Sequence, residues 1–206
     1  MLHPRVRIAL MVAGTIGLLA VAAALLVIDP SPSAPTPSGG AAFAGSIRPP
    51  GPPLDFRLTD ERGRPLTLSS LRGRPAIVTF MYTTCENDCP TMAQQIRGAL
   101  DDLGARRQVP VVAVSVDPAN DTPRRALRFL AEQRLAGRMR FALGDRASLQ
   151  PAWRSFGVQP QERGREHAAW VVLLDRTGRQ RVGFPASKLT SEGVEHDVRL
   201  LLAEPG

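Results

Sequence analysis

Cysteine, histidine and lysine are scarce in this chain: its 206 residues hold two cysteines, three histidines and, at Lys188, one lysine. Two cysteines cannot build the several-bridge framework of a small secreted scaffold. No internal repeat recurs at a fixed period, which excludes solenoids and propellers. Acidic residues are the minority charge, leaving a formal +7 carried almost wholly by arginine. Such an excess first suggests nucleic acid. The arginines are scattered rather than gathered in one stripe, and the domain that bears them is read below as exported, so no nucleic-acid partner is expected. A solvated, arginine-biased surface is the plainest reading, with a docking patch for an acidic partner as the alternative.

Long apolar runs are limited to one. Residues 8–28 form an uncharged apolar stretch long enough to cross a bilayer as a helix. His3, Arg5 and Arg7 precede it and no Lys or Arg follows until Arg48, so the positive-inside rule leaves the N-terminus in the cytoplasm and exports the rest. The apolar core exceeds the roughly 7–15 residues of a cleaved signal peptide. Residues 1–29 are therefore expected to be an uncleaved, single-pass anchor in a bacterial cytoplasmic membrane, with the remainder on the periplasmic side. Residues 30–53 read as a linker: eight of the nineteen prolines fall between Asp29 and Pro53, among Ser, Ala and Gly, a composition that extends and cannot build a core. Residues 54–206 are long enough for one domain.

Both cysteines lie in residues 83–91, T-T-C-E-N-D-C-P-T. The run A-I-V-T-F-M-Y before them has the length and the β-branched, aromatic content of a buried strand. Pro90 suits the first turn of a helix, and residues 91–107 continue it, with Met92, Ile96, Ala99, Leu100 and Leu103 on one face. The thiols thus sit at a strand-to-helix junction, with Cys89 near a helix N-terminus that favours a thiolate. Cysteines at i and i+4 can close a disulfide or grip one metal ion. A bridge across so short a loop stabilises a fold little, and Glu86, Asn87 and Asp88 between the thiols favour an arriving cation over a lone thiolate. Metal capture is the better reading of the pair.

The remaining elements alternate. Residues 54–58 and 65–68 read as a leading hairpin, and residues 109–116 as a strand apolar on both faces, central in a parallel sheet. Thr122 and Pro123 start a helix over residues 124–135 as N-cap and first residue. A strand at 140–143, a helix at 147–156, a polar loop at 159–166, a second hairpin (169–174 with 180–184) and a last helix at 189–202 complete a three-layer α/β order. Ligand sites of such sheets lie beyond the carboxyl ends of strands, where the cysteine turn falls.

Two thiolates leave a metal under-coordinated. His3 is on the wrong side of the anchor, His196 lies in the last helix, and His167 precedes a strand, where a lone histidine is by itself more often a local hydrogen-bonder than a ligand. Three blocks change that reading. Y-T-T-C-E-N-D-C-P (82–90), V-D-P-A-N-D-T-P (116–123) and H-A-A-W-V-V-L-L-D (167–175) resemble, in order and spacing, the Sco/SenC/PrrC family. The resemblance implies a thioredoxin-like fold holding one copper ion, with Cys85 and Cys89 as thiolate ligands and His167 as the imidazole. It further implies help in assembling the binuclear copper centre of cytochrome c oxidase, by delivering copper, by reducing the target's cysteines, or both. Where the family often has Asp-His-Ser, this chain has Glu166-His167-Ala168, which alters the ligand's surroundings and not the ligand.

Copper also suits the residues themselves. Two soft thiolates and an imidazole match three-coordinate Cu(I) and are acceptable to Cu(II), whereas structural zinc wants a fourth ligand. Asp117 is foremost a loop-start residue, with orienting His167 or a loop N–H as its functional alternative. Met81 and Met92 read as core before copper ligands, and Trp153 and Trp170 as packing aromatics. In an exported protein the pair would oxidise, so a periplasmic thiol reductant is required. The rival class is a metal-independent thiol–disulfide oxidoreductase, against which stand the three intervening residues where thioredoxins have C-x-x-C and the two carboxylates among them. A redox or copper sensor would look the same. A peroxiredoxin is weaker still, since its Thr-Pro-x-x-Cys motif is absent.

Overall fold

The computed structural model describes residues 42–49, 51, 55–104, 109–161 and 169–205. The expected anchor, most of the linker, His3, Glu166, His167 and Ala168 lie outside the described residues. Among the described residues no helix is long and apolar enough to cross a membrane.

Among the described residues, eight strands and four α-helices follow one another as β1 (Ser46–Ile47), β2 (Arg57–Thr59), β3 (Pro65–Thr67), β4 (Ala76–Met81), α1 (Asp88–Leu103), β5 (Val111–Ser115), α2 (Pro123–Glu132), β6 (Arg140–Ala142), α3 (Arg146–Phe156), β7 (Trp170–Leu174), β8 (Gln180–Pro185) and α4 (Ser191–Ala203). Six strands form one sheet in the order β1-β8-β7-β4-β5-β6. β4, β5 and β6 are parallel, while β7 runs against β4 and β8 against β7. The β2–β3 hairpin continues past the β6 edge through paired hydrogen bonds between Thr59 and Leu143.

Why this is a three-layer fold can be read from period-two alternation along the two buried strands. Ile77 and Met81 of β4, with Val111 and Ala113 of β5, face a layer built from α1, α2 and α4. Val78 and Phe80, with Val112 and Val114, face α3 and the hairpin. Runs that look uniformly apolar in sequence are thus split between two cores, as a sheet covered on both sides requires. β5 is interior but lies one strand from the β6 edge; the middle of the sheet is shared by β7 and β4.

The hairpins, the Thr122–Pro123 helix start and the buried face of α1 follow the sequence reading. Several boundaries differ: α1 ends at Leu103 rather than at residue 107, and α2 at Glu132 rather than at 135. α1 begins at Asp88, two residues ahead of Pro90, so Cys89 is already helical. The end of the proline-rich stretch belongs to the folded unit, which starts at Ala42. Ser46 and Ile47 pair with Gly183 and Val182, and Phe43 packs on the core. Composition hid this because the attachment depends on a distant acid. The fully buried Asp197 of α4 accepts the N–H groups of Ala44 (2.7 Å) and Gly45 (2.9 Å). At Gly45 any Cβ would overlap Val182 and Phe184, so only glycine allows so close an approach.

This attachment is testable. Asp197→Ala should lower stability to denaturant by about 2 kcal/mol, the usual scale for hydrogen bonds to a charged acceptor, and amide exchange at residues 44–48 should accelerate before that of β4. Unchanged exchange at 44–48 would show that Asp197 does not hold the strap.

Candidate metal centre

β4 delivers the chain to the site. Beyond Met81 the backbone turns, with the Cys85 N–H donating to the Tyr82 carbonyl at 3.3 Å, and α1 then starts with Asn87 as N-cap. The Asn87 side chain makes no capping bond. Its place is taken by sulfur: the Cys89 N–H, in the first turn of α1, donates to Cys85 Sγ at 3.2 Å. Helical side chains lean toward the N-terminus, which tips the Cys89 thiol back toward the same sulfur, and the two side chains hydrogen-bond. Cys85 is half-buried and Cys89 is 1% exposed, both free thiols. The intervening Glu86, Asn87 and Asp88 are exposed, as expected of a polar turn.

The electrostatics correct one expectation. The helix N-terminus favours the thiolate of Cys85, not that of Cys89, because the amide of Cys89 points at its partner. The hydrogen bond from the Cys89 thiol brings the Cys85 thiol down to about 6 against partial burial, helped by the amides of Cys89 and Asn87 and by the Tyr82 hydroxyl. Cys89 is pushed up, first because its proton is held by Cys85 and then by burial, with the charges of Cys85 and Asp121 adding. The Tyr82 hydroxyl is driven up to about 12 by burial, then by the charge and hydrogen bond of Cys85. The pair is therefore one thiolate and one thiol, with a single proton between two sulfurs.

The acid that supports the turn is one that the sequence reading does not single out. Asp117 stands at the loop start, where its carboxylate accepts the Asn120 side-chain amide at 2.8 Å. The acid that grips the cysteine turn is Asp121. Its Oδ1 accepts both the N–H and the hydroxyl of Thr83, each at 2.7 Å, and its Oδ2 accepts the Ser115 hydroxyl at 2.5 Å. Asp121 is 7% exposed; burial raises its carboxyl, opposed by the Ser115 and Thr83 bonds and reinforced by the Asp117 charge. Trp153, buried as expected, donates its indole N–H to the Ser115 carbonyl at 2.8 Å. The ends of β4 and β5, the turn and the start of α2 are thus tied through one carboxylate. In sequence Asp121 appeared only as the residue ahead of a helix cap, and Tyr82 only as part of a strand.

Of the other candidates, Met81 and Met92 are wholly buried core residues, as read. His196 is exposed on α4, with Nε2 3.2 Å from the Ala42 carbonyl. Trp170 is half-buried beneath the Arg48 guanidinium. Among the described residues no third His, Cys, Asp or Glu completes a metal-holding cluster with the two sulfurs, and His167 lies outside them. The described ends of its segment do border the site. The Gln161 N–H donates to the Val116 carbonyl, whose own N–H donates to Met81 at the end of β4. On the other side, Thr79 Oγ1 donates to the Trp170 carbonyl and Thr79 pairs with Val171.

A pH effect follows from the thiol pair. The native pair loses its first proton near 6, whereas a free thiol of the unfolded chain does so near 9. Between those values the unfolded chain binds more protons, so the reduced protein should grow more stable as pH rises from 6 to 9 and lose that increment as pH falls through 6. Denaturant titrations of the reduced protein across that range should show the rise in wild type and not in Cys85→Ser. Alkylation at pH 7 should modify Cys85 well before Cys89; the reverse order would contradict the assignment.

Comparison with known proteins agrees with the three-block resemblance. A family model described as SCO1/SenC matches residues 52–203. The SCO1 protein homolog of Bacillus subtilis is 32% identical over 82 residues, covering 39% of this chain and 42% of that protein. Such matches span about two fifths of the length of the curated relatives. Among solved structures, ScoI of Bradyrhizobium japonicum with copper bound is 31% identical, with 74% of this chain and 100% of that chain covered and a TM-score of 0.63. The apo Sco1 of Thermus thermophilus is 27% identical, with 78% and 98% covered and a TM-score of 0.67. The mixed α/β, thioredoxin-like fold is therefore shared along nearly the whole of those domains, and the chain belongs to the SCO1/SenC family.

Proposed function

We propose that this protein binds one copper ion through Cys85, Cys89 and His167 and serves assembly of the binuclear copper centre of cytochrome c oxidase, delivering copper to it or keeping its cysteines reduced. The observation that carries the reading is the geometry of the turn: the Cys89 N–H donates to Cys85 Sγ at 3.2 Å, which brings the two sulfurs together on an exposed, acidic turn. Cu(I) is a soft cation suited to thiolates, and it replaces the one proton that the pair still holds, so uptake releases a proton and leaves two thiolates on the metal. Glu86 and Asp88 favour the arriving cation and disfavour further free negative charge.

His167 as third ligand is supported by the anchoring of Gln161 beside the end of β5 and of Trp170 beside β4. Only Ala168 stands between His167 and Ala169, a chain reach of at most about 7 Å. In this reading His167 supplies the third ligand to copper, and a docked acceptor takes the ion by ligand exchange. The proposed setting is a single-pass anchor, residues 1–29, in the bacterial cytoplasmic membrane with the domain on the periplasmic side, where a thiol reductant must keep the pair reduced.

The metal-independent alternative also has an observation in its favour, the contrast between a half-buried, acidified Cys85 and a buried Cys89. The Cys85 thiolate would attack a target disulfide, releasing one target thiolate; Cys89 would then give up its proton and attack Cys85 in the mixed disulfide, releasing the second. The target gains two electrons and this chain ends as the Cys85–Cys89 disulfide.

Copper retained after gel filtration of the reduced full chain against a chelator separates these readings. Wild type should hold one ion, and Cys85→Ser and Cys89→Ser none. His167→Ala should bind more weakly by more than the roughly 10–100-fold that loss of an outer-shell partner costs a metal site. Stoichiometric copper on the double cysteine variant would reject the copper reading. Reduction of an oxidase-subunit disulfide at full rate with a copper chelator present would favour the oxidoreductase.

A further inference from the structure

α2 (Pro123–Glu132) buries Ala126, Phe129 and Leu130 in the core and turns Arg124, Leu127 and Arg128 outward. These three stand at i, i+3 and i+4, one patch on a helix surface. Leu127 is 41% exposed, and Ile47 is the other exposed large apolar side chain among the described residues. Arg125 sits beside the patch, with its guanidinium on the Asn120 carbonyl at 3.0 Å.

This arrangement works against the helix. Arg124 and Arg125 occupy a first turn that holds no acidic residue, where the dipole disfavours cations. Arg124 and Arg128 add a like-charge i, i+4 pair, itself unfavourable. Among the described residues neither has an ion-pair partner. Arg146, which also opens a helix, differs in that it stacks over the Trp153 ring, 6.0 Å from its centroid. Positions that break local rules with no local compensation are where function is expected.

The patch also has a definite neighbour. Asp121, which grips Thr83 of the cysteine turn, is two residues ahead of Pro123, so the first turn of α2 borders the turn carrying Cys85. That turn exposes Glu86 and Asp88. A negative rim at the sulfurs therefore adjoins a positive helix face, and a partner with carboxylates over α2 meets the thiols in one orientation only.

We propose that the Arg124–Leu127–Arg128 face of α2 is a docking surface for a protein with an acidic surface, and that it steers this partner onto the cysteine turn. The inference deepens the reading above, in which the partner is the copper-receiving oxidase subunit. A protein fits the patch better than an anionic membrane. Membrane-surface helices lay a broad apolar face on the lipid, whereas here the apolar face of α2 is spent on the core and Leu127 alone is left outside. Charges placed this way act mainly on association rate and its salt dependence.

The test measures binding of the full chain, in nanodiscs of zwitterionic lipid, to the soluble copper-centre domain of a cytochrome c oxidase subunit at low and high salt. Arg124→Glu/Arg128→Glu should weaken binding at low salt by about tenfold or more and flatten the salt dependence, whereas Arg154→Glu/Arg179→Glu should change little. Because acids suit the first turn of a helix, the α2 variant should unfold no more readily than wild type, so weaker docking cannot be laid to misfolding. No binding by wild type, or equal binding by the α2 variant, overturns the inference; so does an effect of the α2 charges seen only on vesicles of anionic lipid. Docking that depends on α2 while no copper moves supports the surface and counts against the carrier reading alone.

Discussion

One sulfur that is denied its charge organises this site. Cys89 is enclosed by the core and keeps its proton, and that proton is what allows Cys85, at the mouth of the turn, to ionise near neutral pH. Neither half of the pair would behave so alone. A buried lone thiol is inert, and a thiol beside carboxylates is held back from ionising. Together they carry one negative charge and one exchangeable proton, a pairing suited to a soft monovalent cation and equally to thiol–disulfide exchange. The chemistry that follows depends on what arrives, which is why the proposed third ligand and docking surface matter as much as the sulfurs.

The fold supplies the constraint. Parallel β4 and β5 end side by side, and the two helices that follow them begin at that end. Such strand ends are where open α/β sheets bind ligands. Here the local device is a single carboxylate: Asp121 closes the gap between the strand ends by holding Thr83 on one side and Ser115 on the other. The amide of Cys89 reaches Cys85 because the turn between them is pinned at Thr83 and because α1 starts early enough to put Cys89 in its first turn.

Much of this was legible in the sequence, for reasons that differ by residue. Strand β4, the buried face of α1 and the Thr122–Pro123 start were set by composition, period and capping chemistry, all local signals. The pair of cysteines was legible from their spacing. Which cysteine ionises was not, since it turns on whether Cys89 lies before or within the first helical turn, and helix starts are uncertain by a residue or two. Asp121 and Asp117 are nearly interchangeable on paper, four positions apart in one loop; a contact with Thr83, 38 positions away, decides between them. Residues 42–49 looked like linker because their attachment rests on Asp197, at the far end of the chain. Tyr82 read as strand, and only the turn's geometry brings its hydroxyl to Cys85.

X-ray absorption at the copper edge, on the reduced full chain loaded with one equivalent of Cu(I), meets the account most directly. It should report two sulfur neighbours and one imidazole nitrogen, with the nitrogen contribution missing from His167→Ala and both sulfurs still present. A wild-type spectrum indistinguishable from that of His167→Ala would remove the proposed third ligand and with it the copper site proposed above, leaving a redox-active dithiol.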